Sequence, residues 1–392
     1  MSDANAYHLR TYQDWTIGSD SSVNLTPDLA NQPGIGEYFW ESVEIASPAL
    51  WATGASWDEI RAVVQAITDE YWVLTPSTAG VHYHYGNGSD YIPFAKLRRI
   101  AAFLMAADPL LVQLHPEHRR DNYNCLSNRL YSRVAHGIPA ETVAQELEAA
   151  EVEEAPEDPR MQTARPTPSS RAAYQRTPAL KVAFKRGQLT GYNFNQALFL
   201  TQVDADEVQR ENPQPLEIPY AVRELLRCVN APTVAELMST RRGTGDRPAY
   251  SFSQYRFPSY KKPMMLGSRI DRRRQPKRTV EFRQMAATTD PDVVVAHGKV
   301  IVRLCEWAVE ADLEHLWKVV LDCAVAEDNG DWYDVFDLLA ELDLVAEARV
   351  LQRDVAQFRG ETIPGEDEAA SKAETQPRAR GGTKSHDPAF QA

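Results

Sequence analysis

The chain has 392 residues, enough for one large or two ordinary domains. Hydrophobic residues make up 43% and charged residues 25%, close to globular averages, so most of the chain is expected to fold around a core. The net charge of -13 argues against a general binder of nucleic acid or of an anionic membrane.

Four widely spaced cysteines, Cys125, Cys228, Cys305 and Cys323, make neither a paired metal motif nor a disulfide framework, which points to a reducing compartment. The opening MSDANAYHLRTYQDW lacks a basic-then-apolar leader, and no apolar run approaches membrane-spanning length. The expected location is cytoplasmic or nuclear.

In chain order, Trp15 to Val23 and Trp40 to Ile45 read as short extended segments either side of the turn-rich NLTPDLANQPGIG. A helix is expected from about Trp57 to Glu70, with Ile60, Val63, Val64 and Ile67 at helical spacing and Ser56 with Glu59 as a capping box. YWVLTPSTAGVHYHYG then gives two extended pieces around a turn. A second helix, about Phe94 to Ala107, puts Phe94, Leu97, Ala101, Leu104 and Met105 on one face.

These elements place 1–136 in a compact N-terminal part. Residues 137–178 change character: an acidic, helix-like ETVAQELEAAEVEEA runs into a Pro-, Ser- and Arg-rich stretch without apolar periodicity, an exposed insertion or linker. Residues 179–358 form the C-terminal part. It contains the basic run Arg272, Arg273, Arg274, Lys277 and Arg278, which reads as a solvated turn, a nucleotide-facing hairpin or a nuclear localisation patch. Asp290 N-caps and Pro291 begins a helix whose apolar face includes Val294, Ile301, Leu304 and Ala308, and two or three further helices reach about Phe358. Residues 359–392 have the composition of a disordered tail.

Three segments carry chemistry. In Val81-His82-Tyr83-His84-Tyr85-Gly86, strand alternation puts His82 and His84 on one face and Val81, Tyr83 and Tyr85 on the other. Two imidazoles are thereby aimed at a cleft, or stand incidentally on an exposed strand. In Thr279-Val280-Glu281-Phe282-Arg283-Gln284 the same alternation pairs Glu281 with Arg283, a carboxylate able to ligate a hard cation beside a guanidinium able to fork onto phosphate. Taken alone, this pair also fits a surface ion pair. The third is Glu44, between Val43 and Ile45 in a strand ending at Ser47-Pro48, facing either solvent or a polar cleft.

The order of these segments, from Trp15, Asp20 and Ser22 through Val-Glu-Ile-x-Ser-Pro, a helix, Gly-Val-His-Tyr-His-Tyr-Gly, a helix, and Val-Glu-Phe-Arg-Gln with Thr-Thr-Asp-Pro, resembles the amidoligase family over roughly residues 15 to 310. The resemblance implies an α+β fold of glutamine-synthetase-like type, an antiparallel sheet with helices packed on one face. It implies an ATP-dependent carboxylate–amine ligase that forms an amide through an acyl phosphate on an amino acid, peptide or small carboxylate. The catalytic residues would be Glu281, Arg283 and His84. ATP would be held by Arg283 with Arg119 and Arg120, from the His-Pro-Glu-His-Arg-Arg segment, and Mg²⁺ or Mn²⁺ by Glu44, His82, His84 and Glu281. Mg²⁺ prefers oxygen, so a histidine there fits phosphate contact or Mn²⁺ ligation better.

The sequence departs from the family in two ways. The family opens on a Gly-x-Glu-x-Glu strand that has no counterpart here, and Tyr83 and Tyr85 replace valines. Loss of two carboxylates would weaken metal binding. The expectation is then a shortened chain, a substitute acid at Asp20 or Glu37, or a non-catalytic relative serving as a ligand-binding or interaction module. The sheet edge so exposed is a candidate site of self-association.

Overall fold

The computed structural model describes residues 12–120, 122–154, 215–240, 247–256, 278–330 and 332–361. Most of the Pro- and Arg-rich insertion, the run Arg272 to Lys277 and nearly all of the expected tail lie outside the described residues. Helices surround two small antiparallel sheets, an α+β architecture.

The N-terminal strands β1 (Thr16–Ser19) and β2 (Val43–Ala46) pair antiparallel, with Ile17 opposite Ile45 and Gly18 opposite Glu44. All eight residues of this ribbon are exposed. Trp15 Nε1 donates to Glu59 Oε1 at 2.8 Å, tying the ribbon's start to helix α1 (Gly54–Glu70). This helix begins three residues before the expected Trp57. Its cap is Thr53, whose hydroxyl accepts from the Ser56 amide, rather than the Ser56–Glu59 box. Thr53 has extended backbone, as an N-cap requires, whereas Ser56 already lies within the helix.

Helix α2 (Phe94–Leu111) runs one turn beyond expectation and carries Pro109 inside it. From Ile100 to Leu111 every residue is buried, so the helix is surrounded rather than one-sided. Helix α3 (Ala140–Glu154) takes up the acidic run and buries Ala140 and Val143 against α4 (Ile218–Arg227) and α5 (Ala231–Leu237).

The second sheet has the order β3-β5-β4, with β3 (Tyr83–Tyr85), β4 (Tyr250–Ser251) and β5 (Val280–Phe282) all antiparallel. Of the two extended pieces expected between Tyr71 and Gly86, only β3 and an isolated bridge from Gly80 to Ala286 form. The sheet's back face rests on α6 (Pro291–Glu310), followed by α7 (Leu313–Asp328), α8 (Val335–Glu341) and α9 (Val345–Arg359). Asp290 caps α6 by accepting from the amides of Asp292 and Val293, as its position before Pro291 predicts.

Tyr83 is the strut between sheet and helix: its hydroxyl donates to the Val294 carbonyl at 2.7 Å. The approach is close because residue 298 is glycine; a Cβ there would lie 2.8 Å from Trp57 Cζ3 and 3.3 Å from the Tyr83 ring.

Candidate active site

Register, rather than sequence proximity, brings the expected residues together. His84 stands directly opposite Glu281 across β3 and β5, and Ser251 stands opposite Glu281 on the other side, so these three share one row. Alternation holds as read from sequence: Tyr83 and Tyr85 face the core with Val280 and Phe282, while His82, His84 and Glu281 face outward.

On this front face Glu281 Oε1 is the hub. Arg283 Nη1 donates to it at 2.5 Å, His82 Nδ1 lies 3.6 Å away and His84 Nε2 3.9 Å away. The His84 ring is also fixed by Thr279 Oγ1, 3.0 Å from Nδ1. Residue 86 is glycine beside this pair, and a Cβ there would meet Thr279 Cγ2 at 2.9 Å. Arg283 Nε donates to the Asn124 carbonyl at 3.0 Å, so its guanidinium is held at both ends.

Asp20, just after β1, lies within electrostatic reach of this cluster. Ser22 donates to it through both hydroxyl and amide, and those bonds, with the charges of His82 and Arg247, hold its carboxyl below the usual range.

The remaining expected residues lie elsewhere. Arg119 is almost fully buried, donating from Nε to the Gln284 carbonyl and from Nη2 to the Arg283 carbonyl at 2.5 Å. It is a brace under the strand end, reached through Gly80, where a Cβ would stand 2.7 Å from Nη2. Arg120 Nε donates to the His115 carbonyl at 2.6 Å. Glu44 is exposed on the separate two-stranded ribbon, and Glu37 is exposed at the end of a short 3-10 turn, Ile35–Glu37, before β2. Arg278 folds back, its guanidinium 5.2 Å over the Tyr91 ring.

Sequence reading missed two buried groups beneath the site. Asp108 accepts from Ser127 Oγ at 2.6 Å, from the Arg129 amide and from Gln284 Nε2, and Gln284 Oε1 in turn accepts from Tyr250. Burial nevertheless raises the Asp108 pKa. His115 stacks on His297, 5.3 Å between ring centroids, beside a small cavity of about 30 Å³ that Tyr83, Gln284 and Met285 also line. Burial pushes both imidazoles toward the neutral form, His297 to a pKa of about 4. No local signal marks either group; both depend on contacts between residues far apart in the chain.

A divalent cation of the Mg²⁺ class takes about six oxygens. Among the described residues no three His, Cys, Asp or Glu side chains stand together as a metal-holding group, and Glu281 is already ion-paired to Arg283. The described side chains by themselves do not supply the oxygen set that such a cation takes.

The fold and site define an α+β protein with a His/Glu/Arg cluster on an open sheet face. The family described as "Putative amidoligase enzyme" matches residues 1–146, which bears out the family resemblance over the N-terminal part. That match contains His82 and His84, whereas Glu281 and Arg283 lie beyond it. No curated protein and no solved structure matches the chain. Among the described residues no helix is long and apolar enough to cross a membrane.

Proposed function

We propose that the protein is an ATP-dependent carboxylate–amine ligase of glutamine-synthetase-like fold. The observation that carries this reading is the front-face cluster, in which His84, Glu281 and Arg283 converge from two strands nearly 200 residues apart in sequence. An amide is made from a carboxylate in two steps. The carboxylate oxygen attacks the γ-phosphorus of ATP and ADP leaves; an amine then attacks the acyl carbon and phosphate leaves.

Both steps gather negative charge on the transferred phosphoryl group, so positioned cations are the main catalytic need. Arg283 would neutralise the phosphoryl oxygens. His82 and His84 would donate to them, and Glu281 would orient Arg283 and the imidazoles. ATP would enter with Mg²⁺ or Mn²⁺, and the substrate would be an amino acid, a peptide or a small carboxylate.

The test is titration of the full chain with ATP and Mg²⁺ by calorimetry, alongside an assay of phosphate release with amino-acid pools. His84→Ala and Arg283→Ala are expected to abolish metal-dependent nucleotide binding. Nucleotide binding that survives both would sink the reading. A second reading, a non-catalytic ligand-binding relative, is favoured by the place of Glu44 on a separate, exposed two-stranded sheet. It expects nucleotide binding without amide formation.

A further inference from the structure

Arg247 has no part in the sequence motifs and lies outside the matched residues, yet the fold brings it to Asn124, the residue that also anchors Arg283. It leads into β4, where the Leu126 amide donates to its carbonyl at 3.0 Å and Ala249 donates back to Leu126 at 2.7 Å. Ala249 in turn accepts from the Arg283 amide at 2.9 Å. Residues 124–126, the lead into β4, and the end of β5 therefore lie side by side.

Arg247 lies four residues before Ser251, just outside β4, and its side chain is exposed. Both guanidinium groups bind Asn124: Arg247 Nη1 donates to its side-chain oxygen and Arg283 Nε to its carbonyl. Two like charges are thus anchored on one residue.

Asp20 supplies the counter-charge. Its turn is pinned by Asn24 and Thr78, whose amide–hydroxyl and hydroxyl–carbonyl bonds measure 3.0 and 3.1 Å, four residues ahead of His82. That turn thereby stands beside the segment leading into β3, and the Asp20 carboxyl lies within electrostatic reach of Arg247 and His82.

We propose that Arg247 and Arg283 are the two arms of a clamp for one oxyanion, a phosphate or a carboxylate, and that Asp20 occupies the electrostatic place that the anion takes over. Paired guanidinium groups suit such an anion because each offers parallel N–H donors in a planar fork. The inference deepens the ligase reading by adding a binding residue to its site, and rests on that reading only for which anion arrives.

The experiment uses the full chain and calorimetric titration with two sets of probes: inorganic phosphate and pyrophosphate, then acetate and glutarate. Whichever set binds identifies the source of the oxyanion. Arg247→Gln should weaken that binding by at least about tenfold, the scale of one charge-assisted contact. Arg247→Lys should restore part of it. Asp20→Asn should act in the opposite direction and tighten binding severalfold, a sign that a purely structural role for the loop would not produce.

Binding within twofold of wild type in Arg247→Gln overturns the clamp, as does weakened binding in Asp20→Asn. If Arg283→Ala abolishes ATP binding while Arg247→Gln leaves all anions unchanged, the clamp fails and the ligase reading stands. If the anion clamp behaves as expected but no ATP-dependent amide forms, the ligase reading fails and the clamp stands. Wild-type protein that binds neither probe set overturns the clamp outright.

Discussion

The molecule holds two small sheets with opposite surroundings. The β3-β5-β4 sheet has a back face of Tyr83, Tyr250, Val280 and Phe282 packed on α6 and the core, and a polar front face. The β1–β2 ribbon has all of its residues exposed. A two-stranded ribbon is marginal by itself, and three strands with a covered face are not. Functional side chains need fixed positions, so the covered sheet is the one on which a cluster such as His84, Glu281 and Arg283 can be held to hydrogen-bonding accuracy. Glu44, expected at the same site, stands on the sheet whose position the core fixes least.

This contrast is sharpest at Arg119, where the largest effect is expected. Arg119→Ala removes two donors to the carbonyls of Arg283 and Gln284 and empties a buried volume. A loss of roughly 3–5 kcal/mol in stability is expected from urea denaturation of the full chain. A cost under about 1 kcal/mol would mean that the end of β5 does not depend on this brace.

Next in size is a pH effect on the same side of the molecule. His115 and His297 are stacked and buried beneath the sheet, each with its pKa pushed down, His297 to about 4. A depressed histidine is neutral in the folded protein and takes up a proton on unfolding near pH 6.5, so the unfolded state binds more protons between these values. Stability is therefore complete above about pH 6.5 and falls as the pH is lowered toward 4. His297 alone should remove about 2 kcal/mol between pH 7.5 and 5. His297→Gln should lose correspondingly less over that interval. Equal losses in the two proteins would show that this ring does not titrate as the buried stack requires.

The front face should respond in the opposite way, through function more than stability. Glu281 is partly exposed, and ion pairs in such settings contribute little. Glu281→Gln is expected to shift the unfolding midpoint by less than about 1 kcal/mol while abolishing ATP-dependent amide formation. A variant that retains full turnover would remove Glu281 from the proposed chemistry.

The sequence disclosed the front face because alternation is a local property: Val-His-Tyr-His-Tyr and Val-Glu-Phe-Arg each sort their residues within a few positions. Asp290 before Pro291 was legible for the same reason. Arg119 was not, because a guanidinium after a helix suits a phosphate and a pair of carbonyls equally well, and only the packing of Gly80 and Gln284 chooses between them. Arg247 and the His115–His297 stack carry no local pattern at all. They exist only once chain segments more than a hundred residues apart are laid together. The Ser56–Glu59 box shows that even local signals compete, since Thr53 offered the same hydroxyl with the extended backbone that a cap requires.

The smallest expected effect belongs to the ribbon. Ile17 faces Ile45 across β1 and β2, and 76% of Ile17 is exposed. Ile17→Thr keeps a β-branched residue on the strand and removes little buried area, so it should change stability by no more than about 0.5 kcal/mol in urea denaturation. A loss above about 1 kcal/mol would mean that the ribbon's apolar face is covered in the full protein. Covering that face would restrict β2 as well, because Ile45 is the partner of Ile17 and Glu44 is its neighbour in sequence. Glu44, on the opposite face of β2 from Ile45, would then be fixed through its backbone alone, and the difference between the two sheets would be one of which surface packs on each.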